Sequence, residues 1–158
     1  MTTEDKKLSG PQLFIRYVFV CGDAKVKEGK ITPEELKELG KIIKMGREPD
    51  TAFLEKLFPK PAEDMRNFSR SIGVPMWTME TVSRYFRNYH DHPAEEGGRD
   101  VFLVKVIGIS PKPRILTIEM EKSWRIFPET LYAVNIYGLD LQVKDMVYIH
   151  KFMVVEKV

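Results

Sequence analysis

Three histidines, one cysteine and two pairs of adjacent glutamates are the residues of this chain best suited to chemistry, and their spacing limits what they can do. His90 and His92 bracket Asp91. Two imidazoles two positions apart share a face only on a strand, where they can begin a transition-metal site. Here they fall in a segment rich in breakers and charge, with no third ligand evident, so they read as solvent-exposed loop histidines and no metal is expected. Cys21 ends the apolar run Leu13–Cys21 and has no recognisable polarising base, so a buried, inert thiol is the expectation. A single cysteine also excludes an intramolecular disulfide and a Cys-rich zinc site. Glu34-Glu35 stand at a helix start and Glu95-Glu96 in a loop, where the helix dipole and solvation account for them. There is no glycine-rich phosphate loop, nucleophile elbow or H-E-x-x-H. The chain reads as a non-enzyme without a cofactor.

A second constellation is cationic. Asn67–Pro75 followed by Thr78–Arg87 has the outline of a helix-turn-helix, with Arg70, Ser83, Arg84 and Arg87 as its candidate nucleic-acid contacts. Arginine can read guanine edges and Ser can hold phosphate. The connection is longer than the compact turn of the standard motif, and such helix pairs are also common packing units. Charge argues the same way: 25 basic against 23 acidic residues leave only +2, without a basic stripe.

The elements that must position these residues change character midway. Residues 1–10 are polar and read as a flexible tail. Residues 11–92 form a helical domain. Thr32 caps a helix with Pro33 at its first position and Glu35 completing a capping box; Leu36, Leu39, Ile42 and Ile43 follow on one face and Gly46 ends it. Asp50 caps a short helix bearing Phe53, Leu54, Leu57 and Phe58, which Pro59 and Pro61 terminate. A third runs from Ala62 to Ile72 and stops at Gly73. Thr78 opens a fourth through Tyr89, with Trp77, Met76 and Met79 packing its start into the core. Residues 93–100 form a linker. From 101 to 158 the pattern is strand-like. Val101–Ile109 is a nearly unbroken apolar run, and Ile115–Glu121 alternates with Leu116, Ile118 and Met120 inward. Trp124–Phe127, Leu131–Tyr137 and a long closing strand, Met146–Val158, bring the count to about five.

The hydrophobic fraction of 43% suffices for a packed core. The Leu13–Cys21 run is too short to span a bilayer and contains Arg16, and no signal-peptide cleavage site is seen. No membrane association is expected, and a reduced, cytoplasmic setting is.

The end of the chain carries the narrowest functional signal. Val143, Asp145, Val147, His150, Val155, Glu156 and Lys157 keep, without a gap, the spacing of the closing strand of the HypC/HupF hydrogenase-maturation chaperones, V-G-D-Y-V-L-V-H-A-G-F-A-I-E-K. Lys105-Val106-Ile107 is similar to the end of that family's first strand. The resemblance covers residues 99 to 158. The family's amino-terminal cysteine has no counterpart near Arg99, and the Pro-Gly after it is missing, so chemistry through that thiol is not implied. The resemblance does imply a small barrel that docks on a metalloenzyme, with a hydrogenase precursor or maturation factor as partner.

The resulting expectation is an α+β protein, an N-terminal helical bundle of four or five helices followed by a small five-stranded OB-like or SH3-like β-barrel. Its function would be non-catalytic assembly or interaction, with His150, Phe152 and Met153 on the last strand and Trp124 and Phe127 on the barrel surface as partner contacts. Nucleic-acid binding through residues 67–89, with the barrel assisting, is the alternative.

Overall fold

A computed structural model describes residues 7–88, 101–110, 114–120 and 130–158. The chain divides into two compact units, Met1–Phe86 and Arg87–Val158. The described residues carry helices first and strands second, an α+β protein. Among them no helix is long and apolar enough to cross a membrane.

The first unit is built from α1 (Gly10–Phe19), α2 (Gly22–Lys27), α3 (Pro33–Lys44), α4 (Thr51–Leu57), α5 (Pro59–Ile72) and α6 (Met79–Asn88), the end of α6 lying past the division at Phe86. Ser9 and Gly10, expected in a flexible tail, belong to the start of α1, and residues 1–6 of that tail lie outside the described residues. Ser9 caps α1 in a full capping box: its Oγ accepts from the Gln12 N–H at 3.2 Å and its own N–H donates to Gln12 Oε1 at 3.0 Å. Thr32 and Glu35 form the same reciprocal pair at the start of α3. Asp50 Oδ1 accepts from Ala52 N–H at 2.9 Å to start α4. Pro59 does more than end that helix. Phe58 is at once the last cap of α4 and the first cap of α5, and Pro59 and Pro61 fall in the first turn of α5, where a missing N–H costs nothing. Thr78 Oγ1 accepts from Thr81 N–H at 3.2 Å, opening α6 as its type suggests.

An aromatic cluster fills the core of this unit. Tyr17 stacks on Phe86 with centroids 4.4 Å apart, and Phe14 meets Phe86 edge-on at 5.6 Å and Trp77 at 5.1 Å. Trp77 also fixes the start of α1. A Cβ at Gly10 would stand 2.1 Å from the Trp77 carbonyl oxygen, so only glycine lets the two backbones approach.

The second unit holds β1 (Val101–Ile109), β2 (Ile115–Met120), β3 (Thr130–Val134), β4 (Met146–His150) and β5 (Met153–Lys157). The strand order is β1-β2-β3-β5-β4, and β4 pairs again with β1, so the sheet closes on itself. All pairs are antiparallel except β3 with β5, joined through Val134 and Met153. The β1–β2 register shifts between Val106 and Gly108, leaving Ile107 as a bulge. The expected inward set is confirmed for Leu116 and Ile118, which are buried with Val104, Val106, Val147 and Ile149.

The closing segment differs from the single long strand expected. It is a hairpin, β4 and β5, folded at Lys151 (φ 50°) and Phe152 (φ 62°). Two consecutive left-handed residues match the twist of flanking strands, but this turn normally announces itself with Asn-Gly or Asp-Gly. Lys-Phe gives no such signal, so the apolar run on either side hides the turn. Trp124–Phe127, counted among the strands, lies outside the described residues, as do the expected linker at 93–100, His90 and His92.

Candidate functional site

Closure of the sheet leaves alternate side chains pointing outward, and on β1, β2 and β3 many of these are apolar. Ile115 on β2 lies directly opposite Val134 on β3, and the next outward pair is Thr117 with Tyr132. Ile115 and Val134 are exposed at 42% and 40%, and Tyr132 at 71%. Phe152, exposed at 42% at the β4–β5 turn, lies beside them because its carbonyl accepts the Val134 N–H at 2.9 Å. Gly108 sits across from Thr117, where a Cβ would come within 3.3 Å of the threonine side chain. The outward surface of β1–β2 is therefore flat at this point.

Cations accompany this face. Arg114 holds φ 93° in the β1–β2 connection and its carbonyl accepts Asn135 N–H at 2.6 Å, which fixes the connection against the end of β3. Lys151 adjoins Phe152. Both are exposed, and neither forms an ion pair among the described residues. Across the whole unit, basic and acidic residues are equal in number.

The loop entering β4 is locked from within. Asp145 Oδ2 accepts from Gln142 N–H at 2.7 Å and from Lys157 Nζ at 3.0 Å. The Gln142 N–H and then the Lys157 ammonium hold its carboxyl below the ordinary carboxylate value. Asp145 thus closes its own turn. Asn135 seals the other end of this loop, donating to the Leu139 carbonyl at 2.8 Å and accepting its N–H at 2.9 Å.

The residues expected to contact a partner separate into three groups. Phe152 is exposed and Met153 half-buried, both next to the outward face. His150 is 0% exposed: it pairs with Val101 in the ladder and its ring is in the interior, so it offers no surface to a partner. Trp124 and Phe127 lie outside the described residues. Tyr132, Ile115 and Val134 were not among the expected contacts. Their signal was available, since placing Leu116 and Ile118 inward puts Ile115 outward, and a β-branched apolar residue on the outer side of a strand has no core to serve.

The helix-turn-helix set does not assemble into a binding face. Six residues, 73 to 78, separate α5 from α6. Ser83 is 5% exposed and cannot reach a phosphate. Arg84 pairs with Glu80 at 3.3 Å and lies over the Phe68 ring. Arg87, the first residue of the second unit, pairs with buried Glu156 at 2.6 Å and covers the Tyr148 ring at 4.0 Å. Only Arg70 remains exposed without an ion pair among the described residues.

Cys21 is half-buried rather than fully buried, at the junction of α1 and α2. Among the described residues no group of three His, Cys, Asp or Glu side chains is placed to hold a metal ion. Comparison with protein-family models, with curated proteins and with solved structures finds no match to this chain.

Proposed function

We propose that the chain is a non-catalytic docking protein whose second unit is an OB-like barrel binding a protein partner through the outer face of β2 and β3. The observation that carries this reading is the set Ile115, Tyr132, Val134 and Phe152, apolar, exposed and adjacent by register. A small closed sheet has no internal need for them, and contiguous exposed apolar surface on a soluble fold marks an interaction site. The strand order with its parallel β3–β5 pair supports the OB-like class over the SH3-like one. In such barrels the β2–β3 face and the β1–β2 and β4–β5 loops are the usual ligand surface, the same positions that hold Ile115, Tyr132, Arg114 and Lys151 here.

The balance of charge favours a protein over a nucleic acid, because a backbone-tracking groove carries a basic surplus that this unit lacks. The HypC/HupF resemblance makes a hydrogenase precursor or maturation factor the first partner to test. With His150 interior, contact passes to Tyr132 and Phe152. The second reading, single-stranded nucleic acid, draws on the same two rings as stacking platforms with Arg114 and Lys151 beside them.

The test is capture by the tagged full chain from its own cells, with and without nuclease, using wild type and Tyr132→Ser/Val134→Ser. A protein recovered in stoichiometric amount with wild type and lost with the variant, nuclease making no difference, supports docking. Recovery that ignores the substitutions excludes this face, and nucleic acid recovered in place of protein moves the second reading to first.

A further inference from the structure

The first unit carries a separate feature, an open cleft of about 640 Å³ between the end of α1, α2 and one face of α3. Phe19, Val26 and Leu36, each half-buried, form its apolar floor. Four exposed lysines rim it, Lys27, Lys37, Lys41 and Lys44, against one acid, Asp23. Along α3 the lining positions Pro33, Leu36, Lys37, Gly40, Lys41 and Lys44 repeat at intervals of three and four, so they make one continuous helix face. Leu39 and Ile42 are buried on another. At Gly40 the floor is open, because a Cβ there would stand 3.5 Å from the Phe19 ring and any longer side chain would cover it.

We infer that this cleft binds a partner's acidic amphipathic helix, laid along α3 with its apolar stripe on Phe19, Leu36 and Gly40 and its carboxylates on the lysine rim. Three features of the cleft select that occupant. Its apolar floor needs an apolar stripe, and its cations need anions. Three of those cations are strung along about 10 Å of α3, from Lys37 to Lys44, with Lys27 across the cleft on α2, instead of gathered at one point. A fatty acid has one carboxylate and would use one lysine; a three-turn helix offers a carboxylate per turn. None of the four lysines forms an ion pair among the described residues, and Lys37, Lys41 and Lys44 repel one another at spacings of four and three. The helix dipoles favour Lys27 in the last turn of α2 and Lys41 and Lys44 in that of α3, but not Lys37, which lies two turns before the end of α3. This site is distinct from the outer face of the second unit and stands or falls without it.

Fluorescence anisotropy on the full chain tests it, with a labelled amphipathic peptide of about 14 residues, long enough to hold a helix. The probe carries Leu at every third and fourth position and Glu on both flanks; a second peptide replaces each Glu by Gln. The Glu peptide should bind roughly tenfold tighter at low salt, and the gap should narrow as salt rises. Lys37→Glu/Lys41→Glu, which alters only exposed side chains, should abolish that preference. Gly40→Leu should weaken both peptides by filling the floor. Equal binding of the two peptides, failure of the Glu peptide to bind, or indifference to the lysine substitutions overturns the proposal. So does saturable binding of laurate that the peptide does not compete.

Discussion

The two units place their apolar residues in opposite ways. In the first, the aromatic side chains are inside: Phe14, Tyr17, Phe58, Tyr85 and Phe86 are all buried, and Met45 is the one large hydrophobic strongly exposed among the described residues. In the second, the core is aliphatic, built around Val104, Val106, Leu116 and Ile118, while Tyr132 and Phe152 face outward with several isoleucines and valines. Six short helices need bulky side chains to span the gaps between them, whereas a five-stranded closed sheet has an interior too narrow for many rings. That explains an aliphatic core. It does not explain aromatic residues on the outside, where neither packing nor solubility favours them. The difference teaches that exposed apolar residues matter for function only where the fold had no structural use for them.

The strongest way to break this comparison is at Phe14, which is 0% exposed and meets Phe58, Trp77 and Phe86. Phe14→Ala should cost about 4 kcal/mol and lower the melting temperature of the first unit by more than about 15 °C. Scanning calorimetry measures it. A loss under about 1 kcal/mol, well below the range for a buried aromatic, would mean that the aromatic cluster does not organise that unit.

Next in size is the Arg87–Glu156 pair in the second unit, where the Glu156 side chain is only 7% exposed. Arg87→Ala removes its ion-pair partner and the ring cover of Tyr148, and should cost about 3 kcal/mol. Neutralising the acid as well, in Arg87→Ala/Glu156→Gln, should recover a good part of that loss. Denaturant midpoints of the two variants check this. If the double variant is no better than the single one, packing over Tyr148 and not charge is what Arg87 supplies.

A smaller effect, confined by pH, belongs to Asp145. Its folded-state carboxyl titrates below its ordinary value of 3.8, so its contribution is fully present above that value and is lost as pH falls through the lower folded value. Asp145→Asn should therefore melt below wild type at pH 7, and the two curves should converge on acidification below about pH 4. Thermal melts across that range measure it. A gap that stays constant with pH would trace the effect to the shape of the turn and not to the charge.

Legibility in the sequence followed how local the determining physics is. The caps at Thr32, Asp50 and Thr78 and the stop at Gly73 were readable because each depends on residues within one turn. The inward alternation of β2 was readable for the same reason. The Lys151-Phe152 turn was not, since neither residue favours positive φ and only pairing of β4 with β5 imposes it. His150, expected as a partner contact on one long closing strand, lies instead at the end of β4, buried in the ladder opposite Val101. The retention of Arg87 by Glu156 was equally hidden, because that pair joins residues 69 apart, whereas the Arg84–Glu80 pair, four residues apart on one helix, was open to a local reading.

The sharpest form of the comparison uses two aromatic rings of similar size and opposite placement. Tyr132 is 71% exposed, so Tyr132→Ser should change stability by no more than about 0.5 kcal/mol, the ordinary range for surface substitutions. Its cross-strand neighbour Thr117 loses a contact, but the β2–β3 ladder keeps its backbone bonds, and a small loss of strand propensity is offset by removal of apolar surface from water. Phe14→Ala, in contrast, gives up a buried ring. Equilibrium denaturation of the two variants side by side reads the ratio directly. A near-zero cost for Tyr132→Ser, together with loss of partner capture in the double variant, separates a residue kept for binding from one kept for folding. A cost near that of Phe14→Ala would assign Tyr132 to the structure of the sheet and remove the outward face as a docking surface.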